Sequence, residues 1–231
     1  MRAVPQAPRA SLGIEAAMAS YYARRADEYE VIFQKPERQN DLRALRSFVL
    51  ETFAGRHVLE IACGTGYWTQ ILASTAASVT ATDVNDEVLE IAQAKPRMRE
   101  TVQFRREDAY ALPSFPQRFT AGFAGFWWSH VPKPRLRPFL SDLHQTLAPG
   151  ATMVFLDNAY VRGSSTPLSR RDADGNTYQR RTLHDGSTHE VLKNFPTEAE
   201  IREALDGLAF NVRVGFLPHF WVVTYTPKVV V

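Results

Sequence analysis

At 231 residues, with 45% hydrophobic, 11% aromatic and 23% charged side chains, the chain can build a sizeable core and is neither disordered nor collagen-like. Its 27 basic and 25 acidic side chains leave a net charge of +2, without the concentrated basic excess of a nucleic-acid binder. The single cysteine, Cys63, excludes an intrachain disulfide and fits a reducing, cytoplasmic compartment, and no apolar run approaches the roughly 20 residues of a membrane span.

Residues 1–12 read as a loose tail and 13–231 as one domain, of which 13–55 form an N-terminal helical cover. Gly13 to Phe33 is rich in Ala, Glu, Arg and Tyr and predicts a helix closed by Pro36. Asp41 is placed to cap a second helix that runs to about Phe53 and ends at Gly55. Strands then alternate with helices: His57 to Ile61, a glycine turn and a helix to Thr75; Ser78 to Asp83, then a helix capped by Asn85 or Asp86 through Ala94. A third strand spans Thr101 to Arg105. A fourth, Phe119 to Trp127, precedes a helix from Arg135 to Leu147, and Ala151 to Asp157 makes a fifth. This alternation predicts a parallel sheet covered on both faces. It breaks at 159–196, where two Asp-Gly turns flank a hairpin of Tyr178–Leu183 and Thr188–Leu192. Thr197 and Glu200 have capping-box spacing, and Phe210–Phe216 with Phe220–Thr226 form an antiparallel terminal pair. The expected fold is an α/β, Rossmann-like, seven-stranded mixed sheet with only its last strand antiparallel.

The strongest motif is Val58-Leu59-Glu60-Ile61-Ala62-Cys63-Gly64-Thr65-Gly66, an apolar strand entering two close glycines and a helix. Glycine lets a backbone turn sharply and approach a ligand. A dinucleotide site would want a third glycine at 69, where Thr69 stands, and no Gly-Lys-Ser/Thr follows for a P-loop. Glu60 would repel phosphate and suit a cationic ligand.

This unit resembles the class I S-adenosylmethionine-dependent methyltransferases, which typically carry Asp/Glu-x-x-x-Gly-x-Gly at this place. Asp83 closes the next strand, 17 residues after Gly66, and a carboxylate there can accept both hydroxyls of a ribose. Val84 would pack on the adenine. After the third strand, the resemblance implies that Asp108 accepts the adenine amino group beside the Ala109 backbone, with Glu107 competing for that role. The implied cofactor set is Tyr29, Glu60, Ala62, Gly64, Gly66, Thr69, Asp83, Val84, Asp108, Ala109 and Phe126. The segment from Tyr21 to Tyr29 is similar to the family's lid helix, or is simply a tyrosine stripe in the core.

At the fourth strand's end, Gly125-Phe126-Trp127-Trp128-Ser129-His130 lacks the Asn/Asp-Pro-Pro-aromatic motif of enzymes that methylate DNA bases or protein glutamine. A small acceptor is therefore expected, aromatic or heteroaromatic and methylated on N or O. It would be held by Tyr21, Trp127, Trp128, Asn158 and Arg180. One tryptophan should face the core and the other a ligand. His130 is the first candidate for a general base and Tyr22 the second, with loop capping as the competing role for His130. The alternatives are a non-enzymatic S-adenosylmethionine-binding domain, or an enzyme acting on a protein or on an aliphatic carboxylate or amine. The basic residues Arg162, Arg170, Arg171, Arg180, Arg181 and Lys193 of the insertion interleave with acids and read as a solvated hairpin, and His184 and His189 have no further ligands at metal-binding spacing. No nucleic-acid, membrane or metal partner is expected, and the chain is expected to be a monomer or homodimer.

Overall fold

The sheet grows from short runs of β-branched and aromatic residues. They appear in a computed structural model of the chain, which describes residues 9–95 and 101–229, as β1 (His57–Ile61), β2 (Ser78–Asp83), β3 (Val102–Arg106), β4 (Phe119–Gly125) and β5 (Leu147–Asn158). The insertion adds β6 (Leu168–Arg171), β7 (Thr177–Thr182) and β8 (Thr188–Leu192), and the chain ends in β9 (Ala209–Phe216) and β10 (Phe220–Pro227). The main sheet has the order β3-β2-β1-β4-β5-β10-β9, and only β10 runs antiparallel to its neighbours. Strand β1 pairs in parallel with both β2 and β4, so successive connections leave in opposite directions and a crevice opens at the carboxyl ends of β1 and β4.

Helices α1 (Arg9–Arg24), α2 (Gln39–Phe53), α3 (Tyr67–Leu72), α4 (Asp86–Ala94), α5 (Lys133–His144) and α6 (Glu198–Leu205) accompany the strands. Two apolar clusters divide the core. One joins Leu42, Leu45, Val49 and Phe53 of α2 to Val58, Phe123 and Leu156. The other joins Phe139, Leu140 and Leu143 of α5 and Ile201 of α6 to Leu59, Phe155 and Trp221. With both sheet faces covered, β1 is buried from Val58 to Ile61.

Several boundaries differ from the sequence expectation. Helix α1 starts at Arg9, inside the expected tail; residues 1–8 lie outside the described residues. It stops at Arg24, and a 3₁₀ segment, Ala26–Gln34, follows. Tertiary contacts set this break: the second segment carries Tyr29 over Gly64 and stacks Phe33 on Tyr67, 3.7 Å between ring centres. Asp41 is not a cap, because a 3₁₀ turn at Pro36–Arg38 starts α2 two residues earlier. It is buried and accepts from His219 N–H and Nδ1, tying α2 to the β9–β10 turn. Strand β5 begins at Leu147, four residues before the expected start, by absorbing Pro149-Gly150 into a bulge opposite β4. The capping box at Thr197–Glu200 is present.

The insertion is a three-stranded sheet, β6-β7-β8, rather than a hairpin alone. Its first strand, Leu-Ser-Arg-Arg, is exposed at every position and carries no apolar alternation to reveal it. Tyr178, Leu183, Val191 and Leu192 pack on Met18 and Tyr21 of α1, so the insertion and the N-terminal helix form one cover with its own small core.

Gly125 ends β4 beneath this cover. A Cβ there would lie 2.8 Å from Cδ1 of Trp68, whose indole is buried among Tyr67, Phe123 and Phe126 and has no room to move. Gly125→Ala should therefore lower stability by about 1–3 kcal/mol in denaturant unfolding, whereas a midpoint equal to wild type would contradict this packing.

Candidate active site

The crevice holds two cavities. The first, of about 260 Å³, lies over the ends of β1, β2 and β4. Three residues in its floor have left-handed backbones: Ala62 (φ 51°), Gly64 (φ 54°) and, at the end of β4, Phe126 (φ 63°). Such conformations cost a non-glycine residue energy and concentrate where function requires them. The Phe126 N–H is held by Leu156 O at 2.7 Å. Gly64 donates to Asp83 Oδ2 at 2.9 Å, and Asn85 N–H donates to Oδ1 at 3.1 Å. The Asp83 carboxylate is thus fixed at the cavity wall, and burial raises its pKa. Val84 beside it is exposed, an apolar surface at the cavity mouth.

Asp108 and Ala109 line the same cavity, and Asp108 accepts the Tyr110 N–H. Glu107, the rival for Asp108's role, also lines it but is paired with Arg105 at 2.7 Å. Glu60 and Thr69 are fully enclosed beneath the loop rather than in the cavity wall. Burial pushes the Glu60 carboxyl up to about 8, and its Oε2 has no hydrogen-bond partner. Gly66 turns the chain into α3 at φ 80° and does not line the cavity.

The second cavity, of about 430 Å³, lies between the 3₁₀ segment at 26–34, the insertion and the end of β5. Asn158, Arg180 and Tyr21 line it together. Trp128 does not: it packs on Phe155 and Trp221 in the core, which corrects its assignment to the acceptor. Trp127 lines the first cavity rather than the second, beside Tyr110 and Phe139. The indole that leaves the core therefore faces the first cavity.

Four residues line both cavities: Tyr22, Tyr29, Phe126 and His130. Tyr22 and Tyr29 sit on different helices, yet their rings meet edge to face at 5.9 Å. His130 Nδ1 lies 2.6 Å from Leu192 O, a group that only accepts, so Nδ1 carries the proton. Nε2 of the neutral ring then accepts the Tyr22 hydroxyl at 2.8 Å. Burial first, and then the Lys193 charge, hold His130 well below the ordinary imidazole value.

Lys193 was expected in a solvated hairpin. It is buried, donating to Asp157 Oδ1 at 2.8 Å and Ser129 Oγ at 2.6 Å, while Ser129 N–H donates to Asp157 Oδ2. Burial lowers Lys193 to about 8, and the Lys193 charge keeps Asp157 below its usual range despite its own burial. Lys193 and Arg181 are cavity residues that the interleaved charges of the insertion did not single out.

A family model described as a methyltransferase domain matches residues 58–150. A demethylmenaquinone methyltransferase of Staphylococcus epidermidis is 29% identical over 143 residues, covering 57% of this chain and 58% of the relative. One from Clavibacter sepedonicus is 31% identical over 121 residues, covering 52% of this chain and 47% of the relative. The chain thus spans about half the length of the curated relatives it matches. The solved complex of DhpI with SAH superposes with a TM-score of 0.77 at 30% identity, covering 94% of this chain and 98% of that one. The chain is a class I S-adenosylmethionine-dependent methyltransferase.

A second DhpI complex, with SAM and HEP, gives a TM-score of 0.78 at 29% identity over 96% of this chain and all of that one. The cofactor of this methyltransferase is S-adenosylmethionine, with S-adenosylhomocysteine as product. The first cavity fits it: a fixed acid at Asp83, a close backbone approach at Gly64, and a flat apolar flank at Val84. Among the described residues no helix is long and apolar enough to cross a membrane.

Asp83→Ala should weaken S-adenosylmethionine binding in calorimetry at least about tenfold, since hydrogen bonds to a charged acceptor contribute roughly 1.5–3 kcal/mol each; unchanged affinity would contradict the placement. Glu60 gives a second outcome. A carboxyl near 4.5 unfolded and about 8 folded holds its proton more tightly in the native state, so its contribution to stability falls as pH rises through that window. The cofactor-free Glu60→Gln variant should lose less melting temperature than wild type between about pH 5 and pH 8, and an equal loss would place the titration elsewhere.

Proposed function

We propose that this methyltransferase modifies a small acceptor bound in the second cavity, and that the methyl group passes between the cavities at the wall of Tyr22, Tyr29, Phe126 and His130. The observation that carries this reading is the wall itself: the same four side chains line the cofactor cavity and its neighbour. The donor supplies a methyl group activated by its sulfonium. The chain's own residues then bind, orient and exclude water. Asp83 holds the ribose hydroxyls, Asp108 and the Ala109 backbone hold the adenine amino edge, and Val84 packs on the ring. The Gly64 turn lets the donor approach the backbone under Tyr29.

Leu192 fixes the His130 tautomer, and His130 in turn holds the Tyr22 hydroxyl at the wall. The dyad is thereby set as a positioning pair for the acceptor. The insertion closes the second cavity from above. Its tip reaches the N-terminal cover through Arg24–Asp185 at 2.7 Å and through Glu28, which accepts from His184. A cavity of about 430 Å³ suits a small molecule rather than a macromolecule.

The test is radiolabelled methyl transfer from S-adenosylmethionine to a panel of small acceptors, with Tyr22→Phe and His130→Ala beside wild type. Label should enter a small acceptor. Both variants should cut kcat at least about tenfold, the scale of a lost positioned hydrogen bond, while S-adenosylmethionine affinity stays within about twofold of wild type. Label found only on protein or nucleic acid, or full turnover in both variants, would overturn the reading.

A further inference from the structure

We infer that the acceptor is a small molecule carrying an oxyanion, a carboxylate or a phosphate, and that one of its charged oxygens takes the methyl group. This rests on the second cavity being the acceptor site.

The cavity is lined by a set of cations that make no direct carboxylate pair. Lys35, Arg25, Arg38, Arg180 and Arg181 all line it, and among the described residues none of the five lies within 4 Å of a carboxylate. Glu28 is the one acid in the lining, and it accepts the His184 N–H and pairs with the His184 ring. Lys193 is already matched by Asp157.

One of the guanidinium groups is shielded from water and two more are half-buried. Arg38 is 6% exposed; it donates to Asn158 Oδ1 at 2.8 Å and to Ser164 Oγ, and its buried Nε has no partner. Arg181 is half-buried against Tyr21 and Tyr22 and donates to Gln179 Oε1 at 2.7 Å. Arg25 is half-buried over the rings of Tyr21 and Tyr29, at 5.9 and 5.5 Å. Neutral side chains and ring faces thus hold guanidinium groups that a carboxylate would ordinarily satisfy. Burying a cation without a directly paired carboxylate is costly, and a cavity that gathers several such guanidinium groups is suited to an anion supplied from outside. Planar guanidinium forks match carboxylate and phosphate oxygens.

The chemistry of the wall agrees. An oxyanion nucleophile attacks the methyl carbon, the new O–C bond forms as the S–C bond breaks, and the electron pair of that bond goes to sulfur. The products are a methyl ester and S-adenosylhomocysteine, and no proton is released. An alcohol or amine acceptor must shed a proton, yet the imidazole at the wall is held neutral far below its usual range and is a weak base. A charged oxygen needs none.

The experiment has two arms, each comparing wild type with Arg181→Gln and Arg25→Gln. In the first, acetate and inorganic phosphate are titrated into the S-adenosylhomocysteine-loaded protein. Saturable binding of at least one ion is expected, weakened at least tenfold in Arg181→Gln; no saturation by either ion up to high millimolar overturns the inference. In the second, labelled methyl transfer is assayed on small carboxylates, phosphate monoesters, neutral phenols and amines. Oxyanion acceptors should be labelled with KM raised at least tenfold in both variants and S-adenosylmethionine affinity unchanged. Base-labile label marks a carboxylate, and label stable to mild base marks a phosphate ester. Label confined to phenols or amines overturns the oxyanion inference and leaves the second cavity as the acceptor site. Oxyanion labelling with wild-type KM in both variants would instead overturn the placement of the acceptor in that cavity.

Discussion

A salt bridge closed off from water fastens the cover of this enzyme to its sheet. Asp157, at the carboxyl end of β5, takes the Lys193 ammonium, the Ser129 N–H and the N–H of Asn158. Removing water from such a pair costs several kcal/mol for each ion, and the attraction offsets this only when the remaining hydrogen bonds are made. Here they are made, by Ser129 Oγ on Lys193 and by backbone on Asp157. Removing one partner would strand a buried charge, at a cost of about 3–5 kcal/mol. The pair holds the end of β8 against the end of β5, together with the Asn194 N–H on Ser129 O and the Asn194 amide on Val131 O.

The arrangement of the wall follows from that seating. With β8 fixed, the Leu192 carbonyl reaches His130 Nδ1, and the imidazole is left with one accepting nitrogen for Tyr22. Tyr22 then lies edge to face against Tyr29 and stands between the two cavities. On the opposite side the left-handed backbone at Phe126 brings its ring to the same wall, secured by Leu156. Strain at Ala62 and Phe126 and burial of Glu60, His130 and Lys193 all lie within the crevice between β1 and β4. The fold spends stability where charge and geometry must be held fixed.

Much of this frame was legible in the sequence. The alternation of apolar strands with capped helices located all seven strands of the main sheet. The glycine turn after Glu60 and the acid at Asp83 located the first cavity, since these features depend on local chemistry. The reading failed where tertiary packing overrules local pattern. Nothing local breaks the helix at Arg24; the contacts of Tyr29 and Phe33 do. Trp127 and Trp128 are adjacent and chemically alike, and only the fold sends one to the core and the other to the cofactor side. Strand β6 is polar throughout, because it pairs at the edge of a sheet and buries little. The basic residues of the insertion looked solvated because acids interleave with them along the chain. In space those acids pair elsewhere, Glu190 with Arg170 and Asp185 with Arg24, leaving Arg181 without one.

Methyl transfer between the cavities requires the donor's sulfur to open onto the wall they share. A crystal structure of the protein with S-adenosylhomocysteine measures this directly. The ribose hydroxyls should lie on Asp83, with the sulfur facing the second cavity between Tyr22, Tyr29, Phe126 and His130. A product bound with its sulfur turned away from that wall, or closed off from the cationic cavity, would contradict the account.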